Sequence, residues 1–384
     1  MAEASGQFGV NGPESRRDWA ALSDAEARDV LSRFPLPSPA RQVIWHGRRP
    51  FSSTGVVLLE DGSRVFLKRH DHCLRDATAL AEEHRFITHL AEQGVPVGQT
   101  WRTKSGEAAL DLNGSAYEVF SIMPGHDLYE TVQSWEPFHN AQHAFSGGQR
   151  LGQLHAASRS FDAPARPSRR PLLSTFEVIT SPDLMTGLEH WIPHQAGLAE
   201  ALTHHRWRND IPQALLPFHA RLKPYLGTLQ PRWGHGDWHP SNLFWTGTGP
   251  EAQVCGILDF GMSDRTCAAY DLAVAIERTA IAWLDPENNC PVSLDRLEAF
   301  LSGYRTHYAL SAEERRLVPL FLPLVHVEYA LSEVAYYETL VHDRAGVKAA
   351  YTDYLLGHAH WFSSPAGQQF LHWLTDNLQT APCP

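Results

Sequence analysis

The spacing of apolar and polar positions changes character about a third of the way along the chain. Ser23–Phe34 carries helical spacing, opened by Ser23 with Glu26 three positions on, the reciprocal signature of a capping box. The stretch Pro35–Pro39 closes it. The pattern then becomes that of strands: Val56–Leu59 and Arg64–Lys68 flank Asp61-Gly62 and read as a hairpin. A helix is predicted from about Asp76 to Gln93, stopped by Gly94 and Pro96. A second strand pair, Ala108–Leu112 and Ala116–Ile122, is joined by a turn at Asn113-Gly114. From Asp127 onward the spacing is mostly helical, except for a strand-rich island near 243–259 interrupted by Thr246–Pro250. The basic, proline-punctuated stretch Pro164–Pro171 reads as an exposed loop. The expected organisation is α+β: a helical extension over 1–40, a small sheet lobe over 41–123, and a larger helical lobe over 124–384 with a hairpin inserted.

Composition narrows the class without naming it. With 384 residues, 43% hydrophobic and 20% charged, the chain can build two lobes with their own cores. No apolar run reaches the 18 residues of a membrane-spanning helix. Met1–Val10 lacks the basic start and apolar core of an export signal. Five cysteines without CxxC or zinc spacing read as reduced thiols, so a cytoplasmic chain is expected. The net charge of −11 is uneven, about −2 over residues 1–125 and −9 over the rest, which argues against a nucleic-acid partner. An acidic half can attract a cationic substrate, although plain solubility is the simpler reading of the charge.

The densest chemistry is His235-Gly236-Asp237-Trp238-His239-Pro240-Ser241-Asn242, followed 17 residues past Asn242 by Asp259-Phe260-Gly261 at the end of an apolar strand. Phosphoryl transfer from ATP needs a carboxylate that orients the acceptor hydroxyl and takes its proton, and oxygen ligands that hold Mg²⁺ against the phosphates. The spacing puts Asp237 and Asn242 on one tight loop, and Asp259 at the end of a hairpin that approaches from the other side.

These residues resemble the catalytic loop of the aminoglycoside phosphotransferase and choline kinase superfamily, which has glycine after the loop histidine where protein kinases have arginine. The resemblance covers roughly residues 40–340 and implies a two-lobed, protein-kinase-like fold with an antiparallel-sheet N-lobe and a helical C-lobe. It implies Asp237 as catalytic base, Asn242 and Asp259 as Mg²⁺ ligands, and His235 and Asp271 as braces of the loop. It also implies a phosphate-anchoring lysine, Lys68, paired with Glu83 on the following helix, and a phosphate loop at Pro50–Gly55 that offers Ser52 and Ser53. That loop has one glycine and lacks G-x-G-x-x-G. The adenine is expected against the link Phe120-Ser121-Ile122-Met123.

The acceptor is expected to be a small polar alcohol: an aminoglycoside-like antibiotic, an amino alcohol or a sugar. A protein Ser/Thr kinase would want an activation segment, and Asp259 runs into Tyr270-Asp271 too soon for one. A metallophosphoesterase built on His235-x-Asp237-x-His239 would want a second His/Asp cluster at compact spacing, which the sequence lacks. A nucleotide-binding protein without activity sits poorly with an intact Asp237, Asn242 and Asp259. His155 is expected to be packed and hydrogen-bonded. The late helix Val325–Leu340 has an apolar stripe of Val327, Ala330, Leu331 and Val334, with His326, Tyr329, Glu333 and Tyr337 on another face. That face is either solvated or lines the acceptor pocket.

Overall fold

The computed structural model describes residues 19–47, 51–132, 134–167, 172 and 176–380. The expectations drawn on Met1–Val10, on Pro50, on residues 168–171 and on Cys383 fall outside these residues.

Both bonds of the capping box form at the start of α1 (Asp24–Leu31): Glu26 N–H donates to Ser23 Oγ (3.1 Å), and Ser23 N–H to Glu26 Oε2 (3.3 Å). The helix stops three residues short of Phe34, whose N–H closes a turn on the Leu31 carbonyl. Its apolar face, with Phe34, packs on one face of a six-stranded antiparallel sheet, against Val57, Leu59, Val65 and Leu67. The strands are β1 (Ala40–His46), β2 (Ser53–Leu59), β3 (Arg64–Asp71), β4 (Thr100–Trp101), β5 (Leu110–Leu112) and β6 (Ser115–Ser121). They run in the order β1-β2-β3-β6-β4, with β5 also on β6. The β2–β3 and β5–β6 hairpins are those anticipated, and Asn113 and Gly114 take φ of 51° and 76°, as a tight primed turn requires. Strands β1 and β4 were not anticipated. β1 has two register irregularities and no regular burial alternation, and β4 is two residues long, so neither carries a period-2 signal.

Helix α2 (Ala77–Glu92), capped by Asp76, ties the sheet to the rest. Phe86 on its buried face meets Phe161, Trp233 and Phe260 of the helical lobe at centroid distances of 5.1–5.9 Å. After the link come α3 (Ala141–Ala157), α4 (Leu184–Trp191), α5 (Leu198–Ala201) and α6 (Trp207–Leu222). Four short strands follow: β7 (Arg232–Gly234), β8 (Leu243–Trp245), β9 (Val254–Ile257) and β10 (Asp264–Thr266), paired β7–β10 and β8–β9. The chain then forms α7 (Ala268–Ala280), α8 (Leu294–Arg305), α9 (Ala312–Phe321), α10 (Val327–Tyr336), α11 (Arg344–Lys348), α12 (Gly357–Ser363) and α13 (Pro365–Thr380). Every residue of α7 is buried, so it is the central helix of this lobe.

Two expectations are corrected here. Pro164, Ala165 and Pro167 are exposed as expected, but Arg166 between them is buried and anchors the lobe interface. The late helix has no solvated face: all ten residues of α10 are buried, because the chain after it folds back and covers the polar side. No helix among the described residues is long and apolar enough to cross a membrane.

Candidate active site

The loop after β7 is shaped by backbone bonds to one buried carboxylate. Asp271, in the first turn of α7, accepts the His235 and Gly236 amides (both 2.7 Å) and a bond from His155 Nε2 (2.8 Å), whose other ring nitrogen meets Tyr304 Oη (2.7 Å). Gly236 turns the chain at φ +78°, and any Cβ there would lie 2.2 Å from the Met262 carbonyl, so only glycine fits. His235 Nδ1 accepts the Asp237 amide (3.2 Å), which leaves Nε2 to donate to the Leu258 carbonyl (2.9 Å). The loop histidine thus spends both nitrogens on backbone and ties the loop to the end of the β8–β9 hairpin.

Asn242 Nδ2 reaches the Asp237 carbonyl (2.9 Å) and its Oδ2 (3.1 Å), so neither bond uses the Asn242 Oδ1. Asp259 stands two residues past β9 at φ +54°, a conformation that aspartate tolerates better than most residues. Its Oδ1 lies 3.0 Å from Lys68 Nζ on β3. The Asp259 carboxyl is about half exposed at the cleft, and against partial desolvation and nearby Asp237 the lysine holds it below the usual range. Burial likewise opposes the charge on Lys68, and Asp259, with Glu118 and Glu83 behind it, more than restores it.

Asp237 has a second partner that the sequence reading missed. Arg278 Nη1 lies 2.9 Å from Asp237 Oδ1, and its guanidinium sits over the rings of Trp135 (4.0 Å) and Tyr329 (5.4 Å). Burial would raise the Asp237 carboxyl, and Arg278, followed by His239, holds it far below the usual range. A signal did exist: Arg278 is seven residues after Asp271, two turns along the same face of one helix. Three buried polar atoms here have no hydrogen-bond partner: Asp237 Oδ1, Arg278 Nε and Glu333 Oε2. Burial pushes Glu333 up to about 8, with Arg278 pulling it down and Asp237 pushing it further up. An adjoining cavity of about 10 Å³, lined by Gly236, Met262, Glu277, Arg278, Tyr329 and Tyr354, has room for roughly one water.

Of the four residues singled out on the late helix, Tyr329 and Glu333 therefore come to Asp237. His326 is buried beside Tyr354 and His358 and bonds the Leu355 carbonyl (3.0 Å), while Tyr337 packs on Tyr336 and over Gly346.

The nucleotide side departs further from expectation. Glu83 does not meet Lys68. It is 2.6 Å from Arg166 and 3.4 Å from Arg75, two guanidinium groups that match its buried charge better than the lysine end, which Asp259 holds. Opposite Lys68 in the sheet stands Glu118, which burial would raise and which His70 (2.9 Å) and His84 (2.7 Å) keep well below the carboxylate range. Ser53 is buried, donates to the Ala20 carbonyl (2.7 Å) and accepts from Arg69 (2.9 Å), so its hydroxyl serves the N-terminal segment instead of a phosphate. Ser52 lies half-buried just ahead of β2. The Ser121 amide donates to Gln99 (2.9 Å) and its hydroxyl accepts from Trp101 (3.0 Å), which makes it a sheet residue first. Phe120 packs against Phe66 and His84, and the Met123 side chain lies over Gly256 of β9.

A family model described as the phosphotransferase enzyme family matches residues 49–316. The homoserine kinase of Rhodopseudomonas palustris is 25% identical over 239 residues, 61% of each chain, so the chain spans about six-tenths of the length of that curated relative. Two solved structures are similar across most of the chain. An aminoglycoside phosphotransferase from Alicyclobacillus acidocaldarius has TM-score 0.57 and 18% identity, covering 94% of this chain and 98% of that one. A microcompartment-associated aminopropanol kinase has TM-score 0.57 and 16% identity, covering 92% and 99%. At such identities the likeness is one of fold: two lobes in the protein-kinase arrangement, a small antiparallel sheet over a larger helical body.

Proposed function

Since the chain belongs to the phosphotransferase enzyme family, we propose that it transfers the γ-phosphate of ATP to a hydroxyl of a small, amine-bearing acceptor. One observation carries the reading. Lys68, the Asp237–Asn242 loop and Asp259 come from three separate places in the chain and meet in one cleft, where Asp237 Oδ1 is ion-paired and yet lacks a hydrogen bond. A carboxylate that must orient an incoming hydroxyl needs hydrogen-bonding capacity that the protein has not spent.

The cleft suits Mg²⁺, which takes hard oxygen ligands: Asp259 supplies a carboxylate, and Asn242 retains its amide oxygen once its NH₂ is committed to Asp237. When bound, the ion would neutralise charge developing on the phosphates. Lys68 is poised to move from Asp259 to a phosphate oxygen, since a lysine end is a mobile point charge. Arg278 keeps Asp237 ionised, so its part in the reaction is to align the hydroxyl and to receive its proton late in transfer. The base of the nucleotide would lie against the 120–123 link.

The orphaned atoms around Asp237 favour a particular acceptor. Glu333 Oε2 is a buried acceptor without a donor, and an ammonium group would ionise and satisfy it. Arg278 Nε is a buried donor without an acceptor, and a carboxylate would satisfy it. An acceptor with hydroxyl, ammonium and carboxylate groups uses all three atoms. Such a hydroxy-amino acid is what a homoserine kinase acts on, and an aminopropanol kinase acts on an amino alcohol, which has no carboxylate. The test is Mg·ATP consumption by the purified protein with homoserine, 1-amino-2-propanol, an aminoglycoside and a neutral sugar, with the phosphomonoester identified by ³¹P NMR. Turnover should be highest with the hydroxy-amino acid and absent with the neutral sugar. Turnover with none of the amines, or with the sugar alone, overturns the reading.

A further inference from the structure

Beside the acceptor pocket lies a cluster that phosphoryl transfer does not use. Glu277 of α7, His326 just ahead of α10 and His358 of α12 each offer a ligand atom within 4.8 Å of the other two, and all three side chains are buried. His358 Nδ1 lies 2.7 Å from Glu277 Oε1, and the His358 ring is stacked 3.4 Å from Trp283 at 10°, which fixes its plane. His326 Nε2 bonds the Leu355 carbonyl at 3.0 Å, so that nitrogen carries the proton and Nδ1 keeps its lone pair. His326 Nδ1 is buried and has no hydrogen-bond partner.

A buried acceptor without a donor is uncommon in a folded protein and calls for an occupant. An imidazole whose far nitrogen donates to a backbone carbonyl, with its near lone pair bare, is the arrangement that outer-sphere partners impose on a metal-binding histidine. We propose that Glu277, His326 and His358 form a binding site for a zinc-class divalent cation, separate from the Mg²⁺ expected between Asn242 and Asp259. Two imidazoles and one carboxylate suit zinc and its transition-metal neighbours, whereas magnesium prefers all-oxygen surroundings. Three protein ligands leave a fourth position for a water, as zinc sites with three side-chain ligands commonly have. Entry of the ion displaces the proton shared by Glu277 and His358 to solvent and opens their contact from 2.7 Å to about 3.3 Å, the edge of a tetrahedron with bonds of about 2.0–2.1 Å. The neighbouring Arg278, 3.8 Å from Glu277, opposes a cation, but its charge is already matched by Asp237. An ion here joins α7, α10 and α12, and fixes the turn of α7 that carries Arg278 into the acceptor pocket.

The experiment uses the full chain, stripped with a chelator and then dialysed against Zn²⁺ with millimolar Mg²⁺ present to fill oxygen-donor sites. Elemental analysis should find one retained zinc per chain, with a higher melting temperature than the stripped protein. Co²⁺ in place of Zn²⁺ should give the intense visible d–d bands of a four-coordinate site, without thiolate charge transfer. His326→Gln and His358→Gln should each lose the retained metal and the bands. Their melting in chelator, compared with the wild type in chelator, reports whether they fold. Absence of retained zinc and of cobalt bands in the wild-type protein overturns the proposal by itself, whatever the variants do. So does equal zinc retention in folded His326→Gln, which would assign the metal to other histidines. Neither result bears on turnover, which the acceptor screen measures separately.

Discussion

Asp237 is held between two opposing pressures: burial disfavours its charge, and Arg278 at 2.9 Å secures it. Removing the carboxylate should therefore lower turnover by at least ~10²-fold, in the range of general-base contributions, while Mg·ATP affinity stays within a few-fold. Asp259→Ala should weaken both Mg²⁺-dependent nucleotide binding and rate. Nucleotide titration alongside steady-state kinetics separates the two variants, and near-normal turnover of Asp237→Ala would remove its assigned role. Glu333 offers a pH test. Its carboxyl is pushed up to about 8, above the ordinary glutamate value of 4.5, by burial first. A raised carboxyl pKa contributes stability that is fully present below about pH 4.5 and is lost as pH climbs through about 8. Glu333→Gln, which cannot ionise, should melt about 2 °C or more above the wild type at alkaline pH and show a smaller difference in mild acid. The same variant should raise the KM of an amine-bearing acceptor more than that of ATP, because only the acceptor's cation would draw on Glu333.

Helix α3 runs close enough to α8 that backbones touch. A Cβ at Gly148 would lie 1.9 Å from the Phe300 carbonyl, and one at Gly303 would lie 2.0 Å from that of Phe145. Gly148→Val must push the helices apart, so a loss of about 1–3 kcal/mol or more is expected in a denaturant melt. Because α3 carries His155, which bonds Asp271 under the catalytic loop, turnover should fall along with stability. Elements whose signals are local were legible beforehand: the Ser23/Glu26 box, the helix start near Asp76, the Asn113-Gly114 turn and the apolar stripe of α10. The opposite face of α10 was not legible. Periodicity ranks positions by polarity, and Tyr329 and Glu333 are polar residues buried by a tail that folds over them from 20 or so residues downstream.

The two lobes are tied by buried charge as well as by Phe86. Arg166 bonds Glu83 at 2.6 Å and donates to the Gly261 and Ser263 carbonyls, and Arg75 reaches Glu83, Gly261 and Leu172. Pro96 accepts from the Ile257 amide across the same boundary (2.8 Å). Arg166→Ala leaves Glu83 short of a buried partner, so a loss of about 3–5 kcal/mol is expected, the usual scale for breaking a buried pair from one side. Glu83→Gln combined with Arg166→Met should recover part of that loss, which a double-mutant cycle would measure. If Arg166→Ala changed stability by less than about 1 kcal/mol, a value ordinary for an exposed pair, Arg166 would not be an interface anchor.

What the sequence determined by itself were the features settled within a few residues of one another. The His235–Asn242 loop, the Asp259-Phe260-Gly261 end of a hairpin and the capped helices follow from spacing, because bonds of short reach in sequence are set by backbone geometry. The small sheet lobe and the larger helical lobe followed from a change of period that burial imposes on each kind of element, and the kinase-like arrangement of the two from the resemblance of the loop. Tertiary structure alone decided the partners of charges in the interior and at the cleft. Lys68 meets Asp259 across 191 residues, Glu83 meets Arg166 across 83, and Glu277 meets His358 across 81. A buried charge takes whichever counter-charge the packed elements bring within reach, and composition offers many candidates of equal merit. Distance in the fold selects among them.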